Sequence, residues 1–442
     1  MKMHRTTLFL SLFLLPAMLL RAQDGSGPDK EFADAVKRGD KAYDGGGLDI
    51  DQALVAYEQA LALQPENAEV LVKIGLCHLN GAQRHESLTY FRKAAELAPD
   101  MPRVHFLLGF ALQLNGEWDA AITAFEEHKQ RSLGIPDPEP MYNRADRYIA
   151  ECRNGRSLSA SPIPAEVALV PGINSAHADY GPLPTADGST LYFTSRRAGT
   201  TGGKRNKVTN EYFEDIYAST LDGDKWTTPA PLPEPLNSKG NDATLGLSAD
   251  GSTMLVFRDG PGMGDIHRST QVNGVWGAPE PLEGLNTKLQ ESSAWTTADG
   301  QWTYFVSDRG EEGLGGQDIF RSRWIAETNS WGPAENLGPD VNSSYDEEGV
   351  FVTPDGNTIY FSSKGHTTMG GYDIFRSTFT DGRWSRPENL GWPINSADDD
   401  LFFVLMPDGS TGYFCSVRPG GLGMDDIYRV EFTAPQHLGQ AR

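Results

Sequence analysis

Five carboxylates stand at one repeated position in the C-terminal half of the 442-residue chain: Asp179, Asp242, Glu291, Glu347 and Asp400. Each comes five residues after an Asn and eight before an Asp-Gly pair. If equal units close into a ring, these acids fall together around the mouth of its pore. Such a ring concentrates negative potential and could attract a cationic peptide, a basic loop or Ca²⁺, with Asp346, Glu348, Asp398 and Asp399 adding to it. Paired acids could also serve a glycoside hydrolase as general acid and base. The structural alternative is that each carboxylate accepts backbone N–H bonds in its own turn, and the two roles are compatible. A second set, Asp215, Asp265, Asp318, Asp373 and Asp426, precedes Ile or opens an apolar run in every unit, where bonds to neighbouring loop amides are expected. The Asp of each Asp-Gly pair is what a tight turn between strands requires.

Other chemistry finds little footing. The sequence contains no His-Glu-x-x-His and no Gly-x-Ser-x-Gly. The glycine-rich stretches 310–316, 365–371 and 420–423 lack the Lys-Ser/Thr pair and following helix of a phosphate cradle, so they read as hairpin loops. His177, His267 and His366 hold no fixed place in the repeat, and Cys77, Cys152 and Cys415 show no metal-ligand spacing. No catalytic residue, metal site or cofactor is expected, and an exported chain with three cysteines is not a disulfide scaffold.

The elements that must position the acids follow from the same repeat. The unit Asn-x4-acid-x7-Asp-Gly returns at intervals of 49 to 63 residues, as expected of one supersecondary unit copied five times. After the Asp-Gly turn come Leu191-Tyr192-Phe193, Trp302 to Phe305, Ile359-Tyr360-Phe361 and Gly412-Tyr413-Phe414, then an Asp-Ile strand, and then Trp226, Trp276, Trp331 or Trp384 opening a fourth strand just before a Pro. Four short strands per unit, radially repeated, make a propeller blade. The last unit lacks its Trp strand, and Val167-Ala168-Leu169-Val170 is placed to pair with the strand around Asp426 to Val430 and close the ring.

Upstream, Ala53, Tyr57, Ala60 and Pro65 recur thirty-four residues on as Ser87, Phe91, Ala94 and Pro99, and again as Ala121, Phe125 and His128, with Gly75 and Gly109 at the same interval. Small residues let two antiparallel helices approach, the aromatic fills the gap, and Pro ends the second helix. Residues 31–43 read as a degenerate opening half-pair cut off by Gly45–Gly47, and 141–152 as a capping helix. The fold class is therefore α+β multidomain, an α-helical solenoid followed by an all-β five-bladed propeller. Its expected parts are a signal peptide at 1–22, helical repeats at 30–154, a linker at 155–165, the propeller at 166–433 and a tail at 434–442.

The signal reading rests on Lys2 and Arg5 ahead of an apolar run, Leu8 to Leu20, too short to span a bilayer, and then Ala22. It makes the chain exported, to the periplasm and in association with the outer membrane, with no membrane span after cleavage. The net charge of −22 becomes more negative once that segment is removed, which repels a phosphate backbone and argues against nucleic acid as a partner.

The helical spacing resembles the tetratricopeptide repeat, and the Ala-Asp-Gly and Asp-Ile-Phe-Arg-Ser strings resemble WD40-like (PD40, TolB-like) propeller repeats. The whole order, with Tyr148 to Arg153, Asp179 to Pro182 and Phe193 to Arg197, is similar to the N-terminal part of PorE-like OmpA-family envelope proteins of type IX secretion. Those relatives continue into a carboxypeptidase-regulatory-like domain and an OmpA-like peptidoglycan-binding domain, whereas this sequence stops after the propeller, so peptidoglycan binding is not carried over. The resemblance implies a non-catalytic envelope scaffold whose helical groove and propeller face bind proteins or peptides. The alternatives are a glycan- or peptide-acting hydrolase or lyase at the propeller mouth, and a sensor of Ca²⁺ or a small ligand.

Overall fold

A computed structural model describes residues 27–44, 49–206, 209–260, 263–310 and 313–433. The expected signal peptide, the Gly45–Gly47 break and the tail lie outside them. The chain divides into two compact units, one helical and one built of strands.

Among the described residues the helical unit has seven α-helices: α1 (Pro28–Asp44), α2 (Ile50–Leu63), α3 (Ala68–Asn80), α4 (Ser87–Leu97), α5 (Val104–Leu114), α6 (Trp118–Arg131) and α7 (Ala145–Ser159). Capping is local. The Asp49 and Asn67 side chains accept from the backbone N–H of Gln52 and Val70, both at 3.1 Å, and so begin α2 and α3. Pro65 and Pro99 end α2 and α4 by excluding helical backbone at the residue before them; Gln64 and Ala98 accordingly sit at ψ +81° and +68°.

One contact recurs through the array. A glycine on the first helix of a pair meets a large ring on the second: Gly39 and Tyr57, Gly75 and Phe91, Gly109 and Phe125. A Cβ on Gly75 would stand 2.5 Å from the Phe91 ring, so the helices can be this close only without one. Gly39 gives α1 and α2 the same contact, so the opening helix, expected to be a degenerate start, packs on α2 as the first helices of the later pairs do on theirs. Gly155 of α7 likewise meets the Trp118 ring of α6, and α7 runs to Ser159, into the stretch expected to be linker. What remains of it is residues 160–164.

In the second unit each blade is a four-stranded antiparallel sheet, and four of the five carry an extra outer piece. The inner strands are Asp179–Pro184, Asp242–Leu247, Glu291–Thr296, Glu347–Val352 and Asp400–Leu405. Asp-Gly turns lead to the second strands, and the glycines, at φ between +69° and +72°, occupy the left-handed region such turns need. The outer edge differs from the expected single strand. Trp226, Trp276, Trp331 and Trp384 end two-residue strands rather than opening longer ones, and a separate two-residue piece pairs with the third strand farther on. Between the two pieces stands the Pro, which has no N–H to give the ladder. The fifth blade takes its outer strand from the start of the unit: Ala165–Leu169 pairs with Asp426–Phe432, Val167 opposite Val430, and the ring is closed.

Candidate functional site

The repeated Asn works between blades. Its side chain accepts from the backbone N–H of the Ile in the preceding blade's Asp-Ile and donates back to the same residue's C=O, as in Asn395 with Ile374 at 2.8 Å both ways and Asn237 with Ile216 at 2.8 and 3.0 Å. Asn174 makes this double bond to Ile427 across 253 residues, so the motif itself closes the ring. Beside it the N–H of each first-strand acid donates to the carbonyl just before the neighbouring blade's Asp, for example Asp400 to Tyr372 at 2.7 Å and Asp179 to Asp425 at 2.8 Å.

The five acids do share one position, but they are not presented to a pore. Asp179, Asp242, Glu291, Glu347 and Asp400 are each fully buried. Each accepts from the backbone N–H of a Ser or Thr four residues earlier, at 2.5 to 3.1 Å. In four blades an arginine from the end of the second strand completes the site: Arg197 to Asp179 at 2.6 Å, Arg258 to Asp242 at 2.6 Å, Arg418 to Asp400 at 2.5 Å, and Arg309 to Glu291 at a looser 3.4 Å. The same arginine donates to the carbonyl before the repeat Asn, and in three blades it lies over an aromatic pair such as Phe414 and Tyr428. Equal spacing in five units does put the acids on one ring, but each side chain turns back into its own blade, toward the turn before its strand.

The fourth blade departs from this pattern. Gly365 stands where the arginine would be, and His366 takes over two of its duties, with its Nε2 2.9 Å from the Val341 carbonyl and its ring against Phe361 and Phe375. Burial holds His366 below its usual range, so it brings no charge. Glu347 is left with Ser343 and Ser363 as partners, and burial pushes its carboxyl up to about 8. Its neighbour Glu348, which accepts from Ser292 at 2.8 Å, is pushed up to about 7 by the same cause.

Folding therefore holds a proton on Glu347 that an unfolded chain, at about 4.3, releases. Stability should fall as pH rises from about 5 through about 8. Glu347→Gln is expected to flatten that fall and to gain roughly 1–2 kcal/mol at pH 8 while changing little at pH 5, read from urea midpoints at the two pH values. Equal slopes for wild type and variant would refute the assignment.

The second set of acids holds loops. Asp215 accepts from the Thr201 N–H at 2.6 Å, Asp373 from Met369 at 2.9 Å, Asp426 from Leu422 at 2.6 Å and Gly423 at 3.1 Å, and Asp318 from Leu314 and Gly315. The Asp265 carboxylate stands beside Gly260. Among the described residues no group of His, Cys, Asp or Glu is placed to hold a metal ion, and the three cysteines are buried.

The axis of the ring is packed. Tyr180 stacks on Phe402 at 5.8 Å, Trp295 meets Phe351 edge-on at 4.7 Å, and a cavity among the inner strands, lined by Thr244, Ser293, Val350 and Phe403, holds about 10 Å³, at most one water. A shallow hollow of about 80 Å³ opens at the Asp-Gly end, walled by Leu247, Trp295, Phe351 and Leu405. It lies at the opposite end of the inner strands from the acids. Acids and hollow thus do not combine into one site. On the helices, a more open depression of about 360 Å³ is lined by Arg38, Ala42, Gln52, Val55 and Gln59.

These features define a class: a tetratricopeptide array joined in one chain to a five-bladed propeller closed by its own first strand. Residues 80–133 match the tetratricopeptide repeat family. Tetratricopeptide repeat protein 28 of Mus musculus is 33% identical over 95 residues, which is 22% of this chain and 4% of the relative, so the chain spans a small fraction of the curated relatives it matches. Among solved structures, TolB from Acinetobacter baumannii has a TM-score of 0.33 and 14% identity, over 66% of this chain and 71% of its own. TolB from Agrobacterium tumefaciens gives 0.33 and 15%, over 61% and 98%. No helix among the described residues is long and apolar enough to cross a membrane.

Proposed function

We propose that this protein is an exported, non-catalytic scaffold of the cell envelope that binds other proteins. The observation that carries the reading is the helical array, in which all three glycine-aromatic hairpins are intact and residues 80–133 match a repeat whose stacked helices make extended binding surfaces. A groove of this kind holds an extended peptide or a partner helix by its exposed side chains. The propeller supplies a second, rigid surface. The hydrolase alternative loses its main support because the repeated carboxylates are buried and engaged within the fold. Components of type IX secretion are the first partners to test, because the order of domains resembles that of its envelope proteins.

In vivo crosslinking of the tagged chain followed by cell fractionation tests the reading. The expected result is tag in the periplasmic or outer-membrane fraction within discrete species larger than the 48.3 kDa chain. Tag confined to the cytoplasm, or monomer alone, would sink it.

A further inference from the structure

A tyrosine–tryptophan ring contact seals two junctions between neighbouring blades, and the junction that lies between those two lacks it. Trp276 of the second blade packs edge-on against Tyr192 of the first, with centroids 5.9 Å apart, and Trp384 of the fourth packs against Tyr304 of the third at 6.1 Å. At the junction of the second and third blades the tyrosine position is Leu255, and Trp331 finds no tyrosine there. A cleft of about 400 Å³ opens instead, lined by Leu255, Leu282, Trp324 and Trp331, with Thr270 and Arg268 among its polar groups. The two indoles meet edge-on at 5.1 Å, and each is partly exposed. This size falls in the range of small-molecule pockets, which pair apolar and aromatic walls with a few polar groups.

Arg268 supplies the second, independent observation. The equivalent arginines of the next two blades close on the glutamate across the ladder, Arg321 on Glu335 at 3.0 Å and Arg376 on Glu388 at 2.7 Å. Arg268 stands in the same register opposite Glu280, yet it is exposed and makes no ion pair or side-chain hydrogen bond among the described residues. In a chain with 60 acids and 38 basic residues, an arginine left unpaired at the edge of an aromatic cleft is a distinctive feature.

We infer that this cleft binds a small carboxylate carrying one flat apolar ring face, the guanidinium of Arg268 taking the carboxylate and the indoles of Trp324 and Trp331 the ring. The planar fork of arginine matches a carboxylate at two points, and an indole face offers a large apolar platform at little conformational cost. Two sources share this chemistry: a sugar acid, and the C-terminal residue of a chain ending in an aromatic side chain.

Titration of the full chain with D-glucuronate and with N-acetylphenylalanine, each against its neutral counterpart, D-glucose or N-acetylphenylalaninamide, tests the inference through indole fluorescence and calorimetry. At least one acid should bind saturably and at least tenfold more tightly than its neutral counterpart, and which acid does so identifies the source. Arg268→Gln should weaken that binding at least tenfold. Leu255→Tyr introduces the side chain used at the first–second and third–fourth junctions, so it should fill the cleft and abolish binding while the protein melts no lower than wild type. Binding of neither acid, equal binding of acid and neutral forms, or binding unchanged in both variants would overturn the inference. The scaffold reading does not depend on the result.

Discussion

Arg418→Ala is expected to lower the unfolding free energy by about 3–5 kcal/mol at pH 8, the range for removing one partner of a buried ion pair and leaving the other uncompensated. Arg418 bonds to Asp400, which is fully buried, and also donates to the carbonyls of Pro393 and Ile394 and stacks over Phe414 and Tyr428. Its loss strands a carboxylate and two carbonyls at once. Burial already raises the Asp400 carboxyl above its usual range, and without the guanidinium it rises further. The variant can therefore recover part of its loss by protonation, so the deficit should be smaller at pH 5 than at pH 8. Urea unfolding at both pH values measures this, with Arg92→Ala as the contrast. Arg92 pairs with Glu117 at 3.0 Å where both side chains are nearly half exposed, and the expected change there is within about 1 kcal/mol. A loss below 1 kcal/mol for Arg418→Ala would show that the staple is not what holds the fifth blade.

Phe125→Ala should cost the helical unit about 3–5 kcal/mol, the range for emptying a buried aromatic site. Phe125 is fully buried, fills the space left by Gly109, stacks on Tyr148 at 5.4 Å and meets Phe106 edge-on at 5.3 Å. Backbone cannot collapse into that space without shifting α5 and α6 together. The helical circular-dichroism signal should melt earlier than in wild type, and an unchanged midpoint would contradict the hairpin account. Both substitutions act on contacts that recur in the sequence, so the repeats should make their effects transferable: Phe91→Ala in the helices and Arg258→Ala in the second blade belong to the same classes.

Much of this architecture was legible from spacing because each recurring residue has one physical task. Asp-Gly marks a left-handed turn, and an aromatic paired with a glycine at helical spacing marks a hairpin. The clasp strand was legible because the last unit visibly lacked an edge. The role of the repeat Asn was not, since its partners lie in the adjacent blade, and in the case of Asn174 at the far end of the chain. The acids were placed at the right position but given the wrong direction. The arginines that claim them stand in the sequence at the end of each second strand, at Arg197, Arg258, Arg309 and Arg418, and the gap at Gly365 is equally visible there. Reading them requires knowing that the end of the second strand returns to the start of the first, which the register pairs Asp179–Ser195 and Asp400–Ser416 supply. The cleft between the second and third blades had a faint signal too: Met254-Leu255-Val256-Phe257 is the one second-strand run without a Tyr-Phe pair.

The central claim is that the helices recruit partners while the propeller's repeated carboxylates serve the fold. Crosslinking and mass spectrometry on intact envelopes, comparing the full chain, a chain lacking residues 28–156 and the Asp179→Asn variant, tests it most directly. Envelope proteins should be recovered with the full chain and with Asp179→Asn, and should vanish when the helices are removed. Recovery that survives loss of the helices, or that is lost with Asp179→Asn while the ring stays folded, would contradict it.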